Sequence, residues 1–178
     1  FLFLTNYVSN FISCLFFALV SHSNFSLSSN YVHQLTQIRA GAIRLTRYLI
    51  KTLDDLETFN RLNLPFLICR SLDLVVKNEE ERIQALKLIR KIIMISPEHL
   101  SIAIVRCLVS LCDTLMIDGQ KPDRIVRACL ATLSELGVVN PLLLIVSNGI
   151  AVITRNVLET EQPRIAESLV GVLLHLLE

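Results

Sequence analysis

From Gln34 onward the apolar residues recur at i, i+3, i+4, i+7 and i+8, the spacing that lines one face of a helix with about 3.6 residues per turn. Four such stripes are legible. The first is Ala42, Leu45, Thr46, Leu49 and Ile50, and the second is Ala85, Leu88, Ile89, Ile92 and Ile93. The third runs Cys129, Thr132, Leu133 and Leu136; the fourth runs Ala166, Leu169, Val170, Leu173 and Leu174. A small residue heads each stripe, at 42, 85, 129 and 166, so successive copies lie 43, 44 and 37 positions apart. Arginines stand just before these heads, at Arg39, Arg82, Arg124 or Arg127, and Arg164. The β-branched residues follow the helical spacing rather than alternating with period two, so no strand is predicted.

Between the copies, "LPFLICRSLDLVV" (64–76), "PEHLSIAIVRCLVSLCDTLM" (97–116) and "NPLLLIVSNGIAVITRNVLE" (140–159) read as partner helices, with Asn148-Gly149 breaking the last into two pieces. Pro65, Pro97, Pro122, Pro141 and Pro163 each stand near a predicted helix start, where the missing proline N–H leaves no helical bond unmade. Ser96-Pro97 and Asn140-Pro141 read as an N-cap followed by a first turn. Asn78 before Glu79, Glu80 and Glu81 predicts another start, with three carboxylates at the positive end of the helix dipole. Asp54, Asp55 and Glu57 follow the first stripe and read as an exposed turn.

Helices repeated at this period cannot bury their apolar faces alone and must stack on their neighbours. The expected fold is therefore all-α, an armadillo/HEAT-type α-solenoid in which helix pairs or triplets stack into a right-handed superhelix. Residues 34–178 supply about four units. The fourth stripe is still open at Glu178, which predicts continuation beyond it. The small residue at the head of each stripe would let one helix approach the next.

Hydrophobic residues make up 52% of the chain and mean hydropathy is +0.55, which suits helices sandwiched between helices. The length allows one domain with a sizeable core. A net charge of +1 argues against a strong electrostatic commitment to nucleic acid or an anionic membrane. The charges are unevenly placed, however: none precedes Arg39. Residues 1–33 form a separate, uncharged segment that reads as an end helix covering the solenoid or as sequence outside the folded unit. Its cleanest apolar run, Phe11 to Val20, falls short of the roughly 20 residues a membrane span needs. A signal peptide would require a positive n-region and a small-residue exit, and neither is written. A membrane anchor through residues 1–20 is the alternative from a different functional class. The chain begins with Phe1, which suggests a fragment of something longer.

The five cysteines, Cys14, Cys69, Cys107, Cys112 and Cys129, are odd in number and lack C-x-x-C spacing. That usage fits a reducing, cytoplasmic compartment with cysteines acting as small hydrophobes, and Cys69, Cys107 and Cys129 read as core. Cys107 and Cys112 would diverge around a helix, so no metal site is predicted. Nor is a cofactor: the glycines at 41, 119, 137, 149 and 171 are scattered, and no phosphate-cradling loop exists. His99 and His175 read as solvated or hydrogen-bonded. No nucleophile, base and orienter converge in the pattern, so the chain does not read as an enzyme. One surface feature stands out. Arg44, Arg47 and Lys51 line the polar side of the first copy, and Lys87, Arg90 and Lys91 hold nearly the same places in the second. Stacking would set two basic rows side by side. They form either a solvated face or a dock for an acidic segment or phosphorylated group.

The blocks "IRAGAIRLTRYLI", "NEEERIQALKLIRKII", "DRIVRACLATLSELGVVNP" and "RNVLETEQPRIAESLVGVLLHLLE" resemble, in order and spacing, the N-terminal armadillo-like region of the Rictor family over residues 34–178. The resemblance implies a cytosolic, non-enzymatic scaffold of TOR complex 2. Its implied partners are the TOR kinase, the small β-propeller subunit and the Sin-type substrate-recruiting subunit, with output to AGC-family kinases and the actin cytoskeleton. Membrane contact would be peripheral, through the complex. A generic HEAT adaptor of transport is the alternative among binding modules, and the four block matches disfavour it.

Overall fold

A computed structural model of the chain describes residues 29–73, 79–115, 124–159 and 163–177. Among these residues it is all-α, with no strand. The helices are α1 (Ser29–Leu49), α2 (Leu53–Arg61), α3 (Leu64–Leu72), α4 (Glu79–Ile95), α5 (Ile102–Leu115), α6 (Arg124–Val139), α7 (Pro141–Val146), α8 (Gly149–Glu159) and α9 (Pro163–His175). A short 3-10 turn, Pro97–His99, precedes α5.

Helix contacts follow the repeat. α1 packs on α4, α4 on α6 and α6 on α9, while α3 packs on α5 and α5 on α8. Two rows of stacked helices result, closed against each other where α3 meets α4, α5 meets α6 and α8 meets α9. Between them lies one continuous core containing Ile43, Leu72, Leu88, Ile92, Ile104, Leu108, Leu133, Leu136, Leu144 and Ile153, all essentially inaccessible. Burying each Leu or Ile contributes about 1.5–3 kcal/mol, so stacking is what holds the short helices in place.

Local chemistry sets the boundaries. The stretch expected to be an exposed turn is instead the start of α2. Thr52 caps it: Asp55 N–H donates to Thr52 Oγ1 at 3.3 Å, and Thr52 N–H donates back to Asp55 Oδ2 at 2.9 Å. That reciprocal pair satisfies two amides that would otherwise lack partners. Asn63 and Asn148, at φ 56° and 60°, adopt the left-handed conformation that asparagine tolerates, and separate α2 from α3 and α7 from α8. The expected break at Asn148-Gly149 is therefore present. Asn140 caps α7 by accepting from Leu143 N–H at 3.2 Å. Ser96 does not cap; its Oγ lies 2.6 Å from His99 Nδ1, and Pro97 opens the 3-10 turn rather than α5. Pro122 and Asn78 lie outside the described residues, as does the uncharged segment 1–28.

The second and third stripes are buried as expected. The first is rotated. Thr36, Ala40, Ile43, Thr46 and Ile50 face inward, whereas Leu45 and Leu49 are 44% and 37% exposed. α1 carries apolar residues on more than one side, and packing on α4 selects the side that includes Ile43. In α9, Leu169 and Val172 are buried while Val170 and Leu174 are 40% and 58% exposed, because α9 rests on α6 and α8 along one side. The close approach there occurs at Gly137 rather than at a stripe head. A β-carbon at that position would lie 2.6 Å from Val172 Cγ1.

Candidate interaction surface

The basic residues of the two rows sit on α1 and α4, or just past the end of α1, and the two helices run in the same direction. Midway along α1, Arg39 Nε donates to Glu81 Oε2 in the first turn of α4 at 3.0 Å; further along both helices Lys91 Nζ donates to the Arg47 carbonyl at 2.5 Å. Arg44 lies about one turn before Arg47, and Lys87 one turn before Lys91, so both occupy the same level of the stack.

The rows are nevertheless not a continuous basic stripe. Lys91 is half-buried and spends its ammonium on an otherwise unbonded carbonyl in the last turn of α1, a position that also suits the negative end of the helix dipole. Arg90 makes a two-pronged ion pair with Glu135 on α6, with Nε to Oε2 at 2.9 Å. Both residues join helices. Arg44 and Lys87 are exposed, and neither makes a side-chain hydrogen bond or ion pair with the described residues. Arg47 stands 5.5 Å above the Tyr48 ring, a cation–π contact. Lys51 is exposed, its charge felt by the nearby Asp55 carboxylate.

What remains is a mixed surface. Along α1 and just after it, Arg44, Arg47 and Lys51 alternate with the exposed Leu45, Tyr48 (63% exposed), Leu49 and Leu53, and Lys87 is exposed on the packed helix α4. The sequence pattern did not expose this combination, because Leu45 and Leu49 were assigned to the core. Glu135 was missed too: an acid one repeat along carries no local sign that it will meet Arg90. The acidic start of α4 is present as expected, with Glu79, Glu80 and Glu81 in its first turn. Glu81 is in addition buried, paired with Arg39 and accepting from Ser71 Oγ at 2.8 Å. Arg82 donates to the Asp73 carbonyl at 2.8 Å. Among the described residues no group of three His, Cys, Asp or Glu converges as a metal site, and no helix is long and apolar enough to cross a membrane.

The family model for the N-terminal part of the rapamycin-insensitive companion of mTOR matches residues 13–178. This chain belongs to the Rictor family. The match takes in part of the uncharged segment as well as the stacked helices. The mouse rapamycin-insensitive companion of mTOR is 33% identical over 170 residues, covering 89% of this chain and 10% of that protein. The human protein is 35% identical over 147 residues, covering 82% of this chain and 8% of its own length. Protein pianissimo A of Dictyostelium discoideum is 32% identical over 140 residues, covering 79% and 12%. The chain thus spans about a tenth of the length of these Rictor-family relatives.

Proposed function

We propose that this chain is a non-catalytic scaffold segment of TOR complex 2, acting in the cytoplasm. It helps hold the TOR kinase together with the β-propeller subunit and the Sin-type substrate-recruiting subunit, and so supports signalling to AGC-family kinases and the actin cytoskeleton. Family membership carries this reading, since the relatives are companions of mTOR. The architecture supports it: one side of each stacked helix is buried in a common core, and the other sides, with exposed residues such as Leu45, Tyr48 and Leu49, are left as surface.

The mixed patch of Arg44, Arg47, Lys51 and Lys87 is the proposed contact for an acidic or phosphorylated partner segment. Cationic heads beside exposed leucines and a tyrosine suit a chain that presents carboxylates or phosphate together with apolar side chains.

Co-precipitation of the full-length protein tests the scaffold role. Wild type is expected to recover the TOR kinase and the Sin-type subunit. Leu88→Asp, which places a charge at a wholly inaccessible core position, is expected to lose the stack and both partners. Full-length protein that recovers neither kinase nor Sin-type subunit would overturn the reading.

A further inference from the structure

In the row formed by α1, α4, α6 and α9, the last three are each preceded in sequence by a partner from the other row: α3 closes on α4, α5 on α6 and α8 on α9. α1 is the first of the described helices, and it packs on α4. Besides its buried side it carries a second apolar line, Leu35, Ile38, Ala42, Leu45 and Leu49, at alternating spacings of three and four. Ile38, Leu45 and Leu49 are 48%, 44% and 37% exposed, and no charged residue falls on the line. Helical geometry sets it about a third of a turn from the side that holds Thr36, Ala40, Ile43 and Ile50. That spacing is the seam along which a further helix packs.

We propose that residues 8–19 of this chain cover that line, running antiparallel to α1. Val8, Ile12, Leu15 and Leu19 recur at four, three and four, the matching seam, while Asn6, Asn10 and Ser13 fall on the opposite side of the same helical pattern. Aligned antiparallel, Leu19 meets Ile38, Leu15 meets Ala42, Ile12 meets Leu45 and Val8 meets Leu49. The segment lies outside the described residues, and three observations name it as the occupant. The family match begins at residue 13, so the second half of the segment belongs with the stacked helices. Neither the segment nor the line carries a charge, so their contact buries no unpaired ion. Residues 21–28 make a link as long as 116–123, which joins α5 to α6, and connections of about two to eight residues are ordinary between packed helices.

The contact assigns the apolar run from Phe11 to Val20 to packing within the chain in place of a membrane anchor. It also divides the surface of α1 in two. Arg44 lies off the line, Lys51 follows the end of α1 and Lys87 stands on α4, so the cations proposed for an acidic partner stay open. Leu45 and Leu49 turn from that patch to the covering segment.

Hydrogen exchange of the full chain, read by mass spectrometry, tests this. Amides of residues 8–19 are expected to exchange about tenfold or more slowly than in the same stretch as a free peptide. That protection is lost in Leu45→Asp with Leu49→Asp, and separately in Ile12→Asp with Leu15→Asp, while α5 and α6 keep theirs. In a Cys14→Ser chain, Ile12→Cys with Leu45→Cys gives a disulfide-linked peptide on oxidation, whereas Val8→Cys with Ile38→Cys, set about three turns apart by the alignment, does not. Exchange of residues 8–19 at the free-peptide rate, or protection unchanged by either aspartate pair, would overturn the proposal. So would protection that vanishes on dilution as a dimer dissociates, which assigns the line to a second copy, or protection that appears only on lipid vesicles, which assigns the segment to a membrane.

Discussion

Arg39 on α1 and Glu81 on α4 form a buried ion pair, 3.0 Å from Nε to Oε2, between positions 42 apart. The separation matches the repeat, and the same interval recurs elsewhere. Lys91 reaches the Arg47 carbonyl across 44 positions, Arg90 reaches Glu135 across 45, and Arg155 pairs with Asp113 across 42. Asn140 Nδ2 donates to the Pro97 carbonyl across 43. Polar side chains thus connect each unit to its neighbour, and directional bonds set a register that non-directional apolar packing leaves loose.

Because Glu81 accepts from both Arg39 and Ser71 with its side chain only 4% exposed, removing it leaves a mostly buried guanidinium, 15% exposed, without its carboxylate. Glu81→Leu is expected to destabilise the chain by about 3 kcal/mol or more. The double variant Arg39→Met with Glu81→Leu should recover most of that loss, because no charge is then left unpaired. Arg90→Ala, at a pair whose side chains are 53% and 38% exposed, should cost about 1 kcal/mol or less and vanish in high salt. Urea unfolding of the set reads the order directly; equal losses at the two pairs would contradict it.

Asp55 gives the α2 cap a pH dependence. Burial raises its carboxyl, but hydrogen bonds from the Lys51 and Thr52 amides and the Thr52 hydroxyl, with the Lys51 charge, outweigh burial and hold it below the ordinary 3.8. A depressed folded value means the contribution is complete above the unfolded value and fades as pH falls through the folded one. Asp55→Asn should therefore lower the thermal midpoint at neutral pH, with the difference from wild type shrinking below the ordinary carboxylate range. Midpoints measured between neutral and acidic pH check this.

Two glycines should respond in opposite directions. Gly41 lies inside α1 with nothing within 4 Å of where a β-carbon would stand, so Gly41→Ala is expected to stabilise by about 0.5–1 kcal/mol through helix propensity. Gly149 opens α8 against Leu144, whose Cδ1 would lie 2.2 Å and whose carbonyl oxygen 3.1 Å from the new carbon. Gly149→Ala should cost about 1–3 kcal/mol. Thermal melts of the two single variants compare them.

For the basic patch, Arg44→Glu with Lys87→Glu reverses two charges that hold no helix together. Capture of partner subunits should weaken while the thermal midpoint stays within the range of ordinary surface changes, about 0.5 kcal/mol. Arg47→Glu with Arg90→Glu would be a poorer probe, because Arg90 also ties α4 to α6. Pull-downs with matched melting curves decide the matter; undiminished capture would return the patch to a solvated face.

Much of the architecture was legible before any coordinates. Helical periodicity, the proline positions, the Asn148-Gly149 break and the recurrence of one stripe at near-constant spacing are local or additive signals, written by backbone sterics and side-chain polarity. Those signals determined an all-helical, repeating chain whose apolar faces need neighbours. They did not determine which face of α1 would be covered, since Ile43 and Leu45 compete within the same helix and α4 settles the choice. Nor could they show that Glu81 would be buried, or that Arg90 and Lys91 would be absorbed into the stack. Each of these depends on a residue roughly one repeat away, and a contact across that distance exists only once the helices have packed.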